Sequence, residues 1–281
     1  MHGVTRSNVS WRALTSSSQL STSGLCPPLS SCRLLGFPVE REQIRIDPHS
    51  MPILMPNKLL AALPRKDYQR LLTGFDPVTL TFGEILYEPG QPIRHVYFPN
   101  DALISLLSLA DGHLALEVGM VGHEGMVGTP VALGINLSPF RALIQGTGTA
   151  LRMTTTRFSK ELAQSPPLQQ VMYRYIHVLM TQVTQTAACN RFHVVEQRLA
   201  RWLLMTLDRV SENPFQLTQE FLSHMLGVRR VGVTKAASAL QQRKLIGYSR
   251  GSITILDRAG LEAFSCGCYR AAIDTYERAL G

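Results

Sequence analysis

One stretch of forty residues constrains this chain more than any other: Leu217 to Leu256, LTQEFLSHMLGVRRVGVTKAASALQQRKLIGYSRGSITIL. Thr218 suits the N-cap of a short helix whose apolar positions are Phe221, Leu222 and Met225, and Gly227 can take the left-handed conformation that ends it. A second helix follows at once. Val233, Ala236, Ala237 and Leu240 recur in it at i, i+3, i+4 and i+7, a buried stripe whose alanines permit close helix approach. Arg230, Val231, Thr234, Lys235 and Ser238 fall on the opposite face. Leu245 to Tyr248, a turn at Ser249 to Ser252, and Ile253 to Ile255 then read as a hairpin. Helix, tight turn, helix and hairpin in this order make a winged helix-turn-helix.

Charge gives that motif a partner. Between Phe221 and Leu256 there is no Asp or Glu, yet Arg229, Arg230, Lys235, Arg243, Lys244 and Arg250 all lie there. A merely solvated face mixes both signs. Arg229 and Arg230 also fall in the first turn of the second helix, where the macrodipole disfavours a cation by roughly 0.3–1 kcal/mol. Duplex DNA supplies the compensation, because Arg can grip a phosphate or a guanine edge bidentately. The expected base-reading residues are Arg230, Val231, Thr234 and Lys235, with Ser238 a further DNA-binding residue on the same face; Thr218, Arg229 and Arg250 are expected on phosphate.

The rest of the composition agrees with this direction. The 281 residues carry a net charge of +8 and are 45% hydrophobic, which suits globular domains with an anionic partner. No run of eighteen apolar residues occurs, so no membrane span is expected. Arg6 and Arg12 are not followed by an apolar segment, so no secretory signal is read and a cytoplasmic protein is expected. Residues 1–56, rich in Ser with scattered Pro, read as a disordered tail, and Met51 or Met55 is an alternative start. The five cysteines have irregular spacing, unlike a disulfide framework.

Along the chain, Asn57 to Leu72 reads as two short helices broken near Pro64. From Phe75 the period becomes two. Val78–Phe82, Ile85–Tyr87, His95–Phe98, Leu103–Leu109, Leu114–Val121 and Phe140–Gln145 read as strands, with turns at Glu88-Pro89-Gly90, Pro99-Asn100-Asp101, Asp111-Gly112, Gly122, Gly125 and Gly146 to Gly148. Many short strands at this spacing predict an antiparallel roll or jelly roll, so the fold class is α+β. Pro167 to about Asn190 reads as a long helix, with Leu168, Val171, Met172, Tyr175, Val178, Leu179 and Val183 as its apolar stripe. A helix over Val195 to Val210 packs through Leu199, Trp202, Leu203 and Leu207 as scaffold.

The strings YFPNDALISLL, DGHLALEVGMVGHEGMVG and FHVVEQRLARWLLM, in order with the winged motif, resemble the Crp/Fnr superfamily of bacterial transcription regulators over residues 57–281. That resemblance implies a cyclic-nucleotide-binding-like β-roll sensor over 57–166, a dimerisation helix over 167–191 and a DNA-binding domain over 192–281. It implies a homodimer on double-stranded DNA, RNA polymerase as a partner, and a small-molecule effector of unknown identity or none. The stripe on the long helix is then read as the dimer seam. Cyclic-AMP-binding members grip the nucleotide with a Gly-Glu pair and a later Arg-Ser pair; here Gly128-Thr129 and Ser138-Pro139 stand in their place. The missing charges argue against cyclic AMP. Gly128, Thr129, Arg141 and, by resemblance, Thr184 are the candidate effector residues. The N-terminal cysteine cluster of the oxygen-sensing branch is absent: Cys26 and Cys32 alone fall short of four ligands.

One alternative of a different class is a cupin-like jelly-roll metalloenzyme, for which His113 and Glu117 offer an H-x-x-x-E fragment and His95 and His123 are further imidazoles. The paired His-x-His is missing. Cys266-Gly267-Cys268 has no two further ligands nearby in sequence, and these two cysteines are read as small packing residues; nothing local suggests that they and Cys189 complete an iron–sulfur set with Cys26 and Cys32. No metal, cofactor or catalytic residue is expected.

Overall fold

A computed structural model of the chain describes residues 57–281, apart from 111–113 and 211–214. The expected tail, with Cys26, Cys32, Met51 and Met55, and His113 lie outside the described residues. Asn57 caps α1 (Lys58–Ala61): its Oδ1 accepts from the N–H groups of Leu59 and Leu60, while its Nδ2 donates to the carbonyls of Pro99 and Gly125. Pro64 separates α1 from α2 (Arg65–Leu72), as its missing N–H requires.

The β-rich part contains β1 (Asp76–Leu80), β2 (Ile85–Tyr87), β3 (His95–Pro99), β4 (Leu103–Ala110), β5 (Leu114–Val121), a 3-10 turn at Thr129–Leu133, β6 (Arg141–Gly146) and β7 (Gly148–Thr154). They form two antiparallel sheets of order β1-β7-β3 and β2-β6-β4-β5. Tyr87, Val96, Phe98, Ile104, Val121 and Ile144 share one core between them. β4 explains its own sequence. Ile104 and Leu106 point into that core, whereas Leu103 and Leu107 point into a second core built with the C-terminal helices. A strand buried on both faces reads as a continuous apolar run rather than an alternation. β7, the central strand of its sheet, is missing from the sequence reading because Gly146 and Gly148 look like the end of the strand region; instead they bracket a tight turn at Thr147. The Cα of Ala102 is 2.8 Å from where a Gly148 Cβ would stand, so this turn needs a residue without one.

After β7, Thr154 caps α3 (Thr155–Gln164) through a bond from the Arg157 N–H, and Ser165 caps α4 (Pro166–Phe192) through one from Leu168. The face that α4 buries corrects an expectation. Leu168, Met172, Tyr175 and Leu179 pack into the core of the β-roll, and Val178 is buried beside them in sequence, so the long stripe is an internal seam and not a surface for a second chain. The outward face carries Tyr173, 53% exposed, and Met180, 61% exposed, with exposed Thr184 and Ala187 further along.

α5 (Val195–Leu207) ends a turn earlier than its pattern suggests. It is followed by β8 (Phe215–Gln216), α6 (Gln219–Leu226), α7 (Arg230–Gln242), β9 (Ile246–Ser249), β10 (Ser252–Ile255), α8 (Arg258–Phe264) and α9 (Cys268–Leu280). β8, β10 and β9 make a three-stranded wing, one strand more than the expected hairpin. Among the described residues no helix is long and apolar enough to cross a membrane.

Candidate functional site

The two helices after β8 are fixed from both ends. Thr218 Oγ1 accepts from the Phe221 N–H at the start of α6, and Gly227, at φ 59°, closes its end. Buried Arg198 of α5 donates to the carbonyl of Leu226, giving that helix end the cation its dipole favours. Val233, Ala236, Ala237 and Leu240 of α7 are buried against α5 and α6, as their spacing predicts. The opposite face is left to solvent: Arg230, Val231, Thr234, Lys235 and Ser238 are all exposed, Val231 by 58%.

Arg229 is the N-cap of α7 and Arg230 its first residue, and among the described residues neither has a carboxylate partner. Arg230 stands beside the wing. Burial pushes the Tyr248 phenol above its ordinary value while the Arg230 guanidinium pulls the other way; the Tyr248 hydroxyl donates to the Leu217 carbonyl. Thr234 is more constrained than its sequence position shows. Its single hydroxyl proton is shared between Gln219 Oε1 at 2.8 Å and the Arg230 carbonyl at 3.1 Å, so its methyl group and an oxygen lone pair are what remain for a ligand. Gln219 joins the face through that bond, a residue the sequence reading passed over.

Arg250 sits at the tip of the wing with φ 49°, next to Gly251 at φ 81°. Two consecutive positive φ values make the primed turn that fits a twisted hairpin. An arginine in this conformation costs about 1–2 kcal/mol relative to glycine, and the fold holds its exposed side chain at the tip despite that. Of the other cations, Arg243 stacks over the Phe264 ring with its guanidinium carbon 4.8 Å from the centroid. Among the described residues none of Arg229, Arg230, Lys235, Arg243, Lys244 and Arg250 is ion-paired.

These observations describe a helix with a cationic, exposed edge and a cationic wing beside it. Residues 197–264 match the family model of the Crp-like helix-turn-helix domain. That stretch carries the Crp-like helix-turn-helix, and the chain as a whole resembles the Crp/Fnr regulators in fold. Residues 197–264 are thus a DNA-binding domain of the kind that Crp-like transcription regulators carry. A global nitrogen regulator of Nostoc sp. is 21% identical over 201 residues, 67% of this chain and 90% of the other. Among solved structures, the c-di-GMP-responsive global regulator CLP of Xanthomonas campestris matches with a TM-score of 0.57 at 15% identity, covering 68% of this chain and 99% of that one. A Crp/Fnr-family regulator of Thermus thermophilus matches at 0.54 and 19% identity, covering 68% and 98%. Members of the superfamily bind DNA and act as dimers.

The candidate effector residues lie on three elements: Gly128 and Thr129 at the 3-10 turn, Arg141 on β6 and Thr184 on α4. Gly128, at φ 99°, opens the 3-10 turn that begins with Thr129, and Val96, the Tyr87 hydroxyl and Ile93 fill the space beside it. Arg141 Nε donates to Glu88 Oε2 at 2.9 Å. Thr184 lies on the outward face of α4 and its hydroxyl donates to the Met180 carbonyl. A cavity of about 700 Å³ lies elsewhere, between α1, α4, the end of α5 and α9, with Lys58, His123, Tyr175, Arg209 and Tyr276 in its wall. None of the four lines it.

Glu117, one of the residues of the metalloenzyme alternative, has another occupation. Glu117 is buried and accepts from the Ser105 hydroxyl at 2.6 Å and from the Trp202 indole N–H at 2.8 Å, which ties β4 and β5 to α5. Burial pushes its carboxyl up to about 7. One group of potential ligands does form among the described residues, outside the roll: Cys189, His193, Cys266 and Cys268. The sequence separates the Cys-x-Cys from the other two by more than seventy residues, so spacing alone could not find it.

Proposed function

We propose that this regulator acts as a homodimer that lays α7 of each subunit in the major groove of a two-fold-related operator. Arg230 reaches a guanine O6/N7 edge, Val231 covers a thymine methyl, and Lys235, Ser238 and the Thr234 methyl complete the reading face. Arg229 at the N-cap of α7, Thr218 at the N-terminus of α6 and Arg250 at the wing tip meet phosphates and set the register. The observation that carries this reading is the set of exposed cations, without an ion pair among the described residues, on the face that the packing of α7 leaves open. A surface that served only stability would neutralise some of them.

The dimer is formed by the outward face of α4, through Tyr173, Met180, Thr184 and Ala187, at spacings of seven, four and three residues. Residues 57–166 are the sensor part, 167–191 the dimerisation helix and 192–281 the DNA-binding part. Any effector is a small molecule other than cyclic AMP, RNA polymerase is the partner at promoters, and the protein works in the cytoplasm. Selection from a random duplex pool with the full chain tests the reading. It should enrich an inverted repeat with half-site centres about 34 Å apart, or a multiple of that. Enrichment of a single asymmetric half-site, or of nothing, would overturn it.

A further inference from the structure

The polar cluster at the end of α4 has no part in the DNA face. Cys189 lies in the last turn of α4 and His193 is its C-cap, four residues on, so both project from one side of the helix end. Cys266 and Cys268 flank Gly267 in the joint between α8 and α9, and Cys268 opens α9. The fold brings the four together. All their donor atoms lie within 4.8 Å of one another; Cys189 Sγ is 3.5 Å from Cys266 Sγ, and Cys268 Sγ is 3.5 Å from His193 Nδ1. The three thiols are buried in a group of their own, apart from the two apolar cores.

Those distances fit a single ion. With zinc–sulfur bonds near 2.3 Å and zinc–nitrogen bonds near 2.0–2.1 Å, the edges of a tetrahedral site are about 3.4–3.8 Å long. A disulfide would use two of the thiols and leave the third thiol and the imidazole without a role. A cubane iron–sulfur cluster puts its own irons and sulfides between the protein ligands, so it needs donors spread wider than these. The surroundings suit thiolates. Gln185 Nε2 donates to Cys268 Sγ at 2.9 Å, and the buried Arg201 guanidinium stands beside Cys189, with an Nε that has no hydrogen-bond partner among the described residues. A donor amide and a cation around sulfur ligands offset the negative charge that three thiolates leave on a zinc site.

We propose that Cys189, His193, Cys266 and Cys268 form a structural metal site for a thiophilic divalent ion, zinc by its donor set. Four protein donors leave no open position, so the ion does no chemistry. It fastens the end of the long helix, where the chain turns into α5 at Val194, to the joint that starts α9. The DNA-binding part is thereby tied to the dimerisation helix by a bond whose strength depends on metal supply and thiol redox state.

The test uses the full chain, purified under reducing conditions without a polyhistidine tag. Elemental analysis should find about one zinc per chain, less than about a fifth of that in Cys268→Ala, and about one again in His193→Cys, which keeps four donors. Cobalt(II) added alone to the chelator-treated protein should give intense tetrahedral d–d bands with thiolate charge transfer, and Cys268→Ala should abolish both. A far-ultraviolet spectrum shows whether each variant is folded. Metal-free protein whose cobalt spectrum is weak and octahedral would overturn the proposal, as would bands unchanged in folded Cys268→Ala. Stoichiometric iron with acid-labile sulfide, or a Cys189–Cys266 disulfide in peptide maps of metal-free protein, would overturn it equally.

Discussion

Glu117 is a single carboxyl enclosed between Ser105 on β4 and the Trp202 indole on α5, at the joint between the roll and the DNA-binding helices. Unfolded, it ionises near its ordinary value of 4.5; folded, burial raises it to about 7. Between those values the unfolded chain sheds a proton that the folded chain keeps, so stability falls as pH rises and the loss is complete above about 7. The span corresponds to on the order of 3 kcal/mol. Glu117→Gln should flatten the pH dependence of urea unfolding between pH 5 and pH 8 and make the protein more stable than the parent at the upper end. An unchanged slope would show that another group governs it. At the effector candidates the prediction is negative: with Arg141 held by Glu88 and Thr129 where a carboxylate would be needed, cyclic AMP should leave operator affinity unchanged within about twofold. Calorimetric binding in the micromolar range, lost in Arg141→Ala, would contradict that.

At the scale of elements, α4 separates what a sequence can tell from what it cannot. Its apolar stripe marks a helix and a buried face, but periodicity says nothing about what lies opposite, and the stripe meets the chain's own β-roll. Met180 is therefore the position to break. Met180→Glu places two carboxylates across a two-fold seam, and should give monomers in sedimentation and at least about tenfold weaker operator binding. A dimer of unchanged strength would place the seam elsewhere. α6 and α7 were legible residue by residue, because Thr218 and Gly227 mark the ends of the first and Val233 to Leu240 the inner face of the second. β7 was not, since Gly146 and Gly148 carry the same signature whether they end a sheet or turn back into it. The Cys189–Cys268 cluster was invisible for a simpler reason: its halves meet only once α9 has packed on α4.

The whole molecule carries a net charge of +8, and six cations without an ion pair among the described residues stand on the wing and on and around the two helices it flanks. Excess charge alone brings any protein to DNA, so affinity by itself distinguishes little; what separates a reader from a polycation is how each cation's loss divides between specific and random sequence. Arg250 at the wing tip is placed for phosphate. Arg250→Ala should weaken both and reduce the salt slope by about one unit per contact. Arg230, on the open face of α7, should behave otherwise. The most direct measurement is fluorescence anisotropy of the parent chain and Arg230→Ala on the selected operator and on a scrambled duplex, at several salt concentrations. A cost of about 1–3 kcal/mol on the operator with little change on the scrambled duplex is the predicted result. Equal weakening on both duplexes would contradict it, because Arg230 would then be one more contact to the backbone.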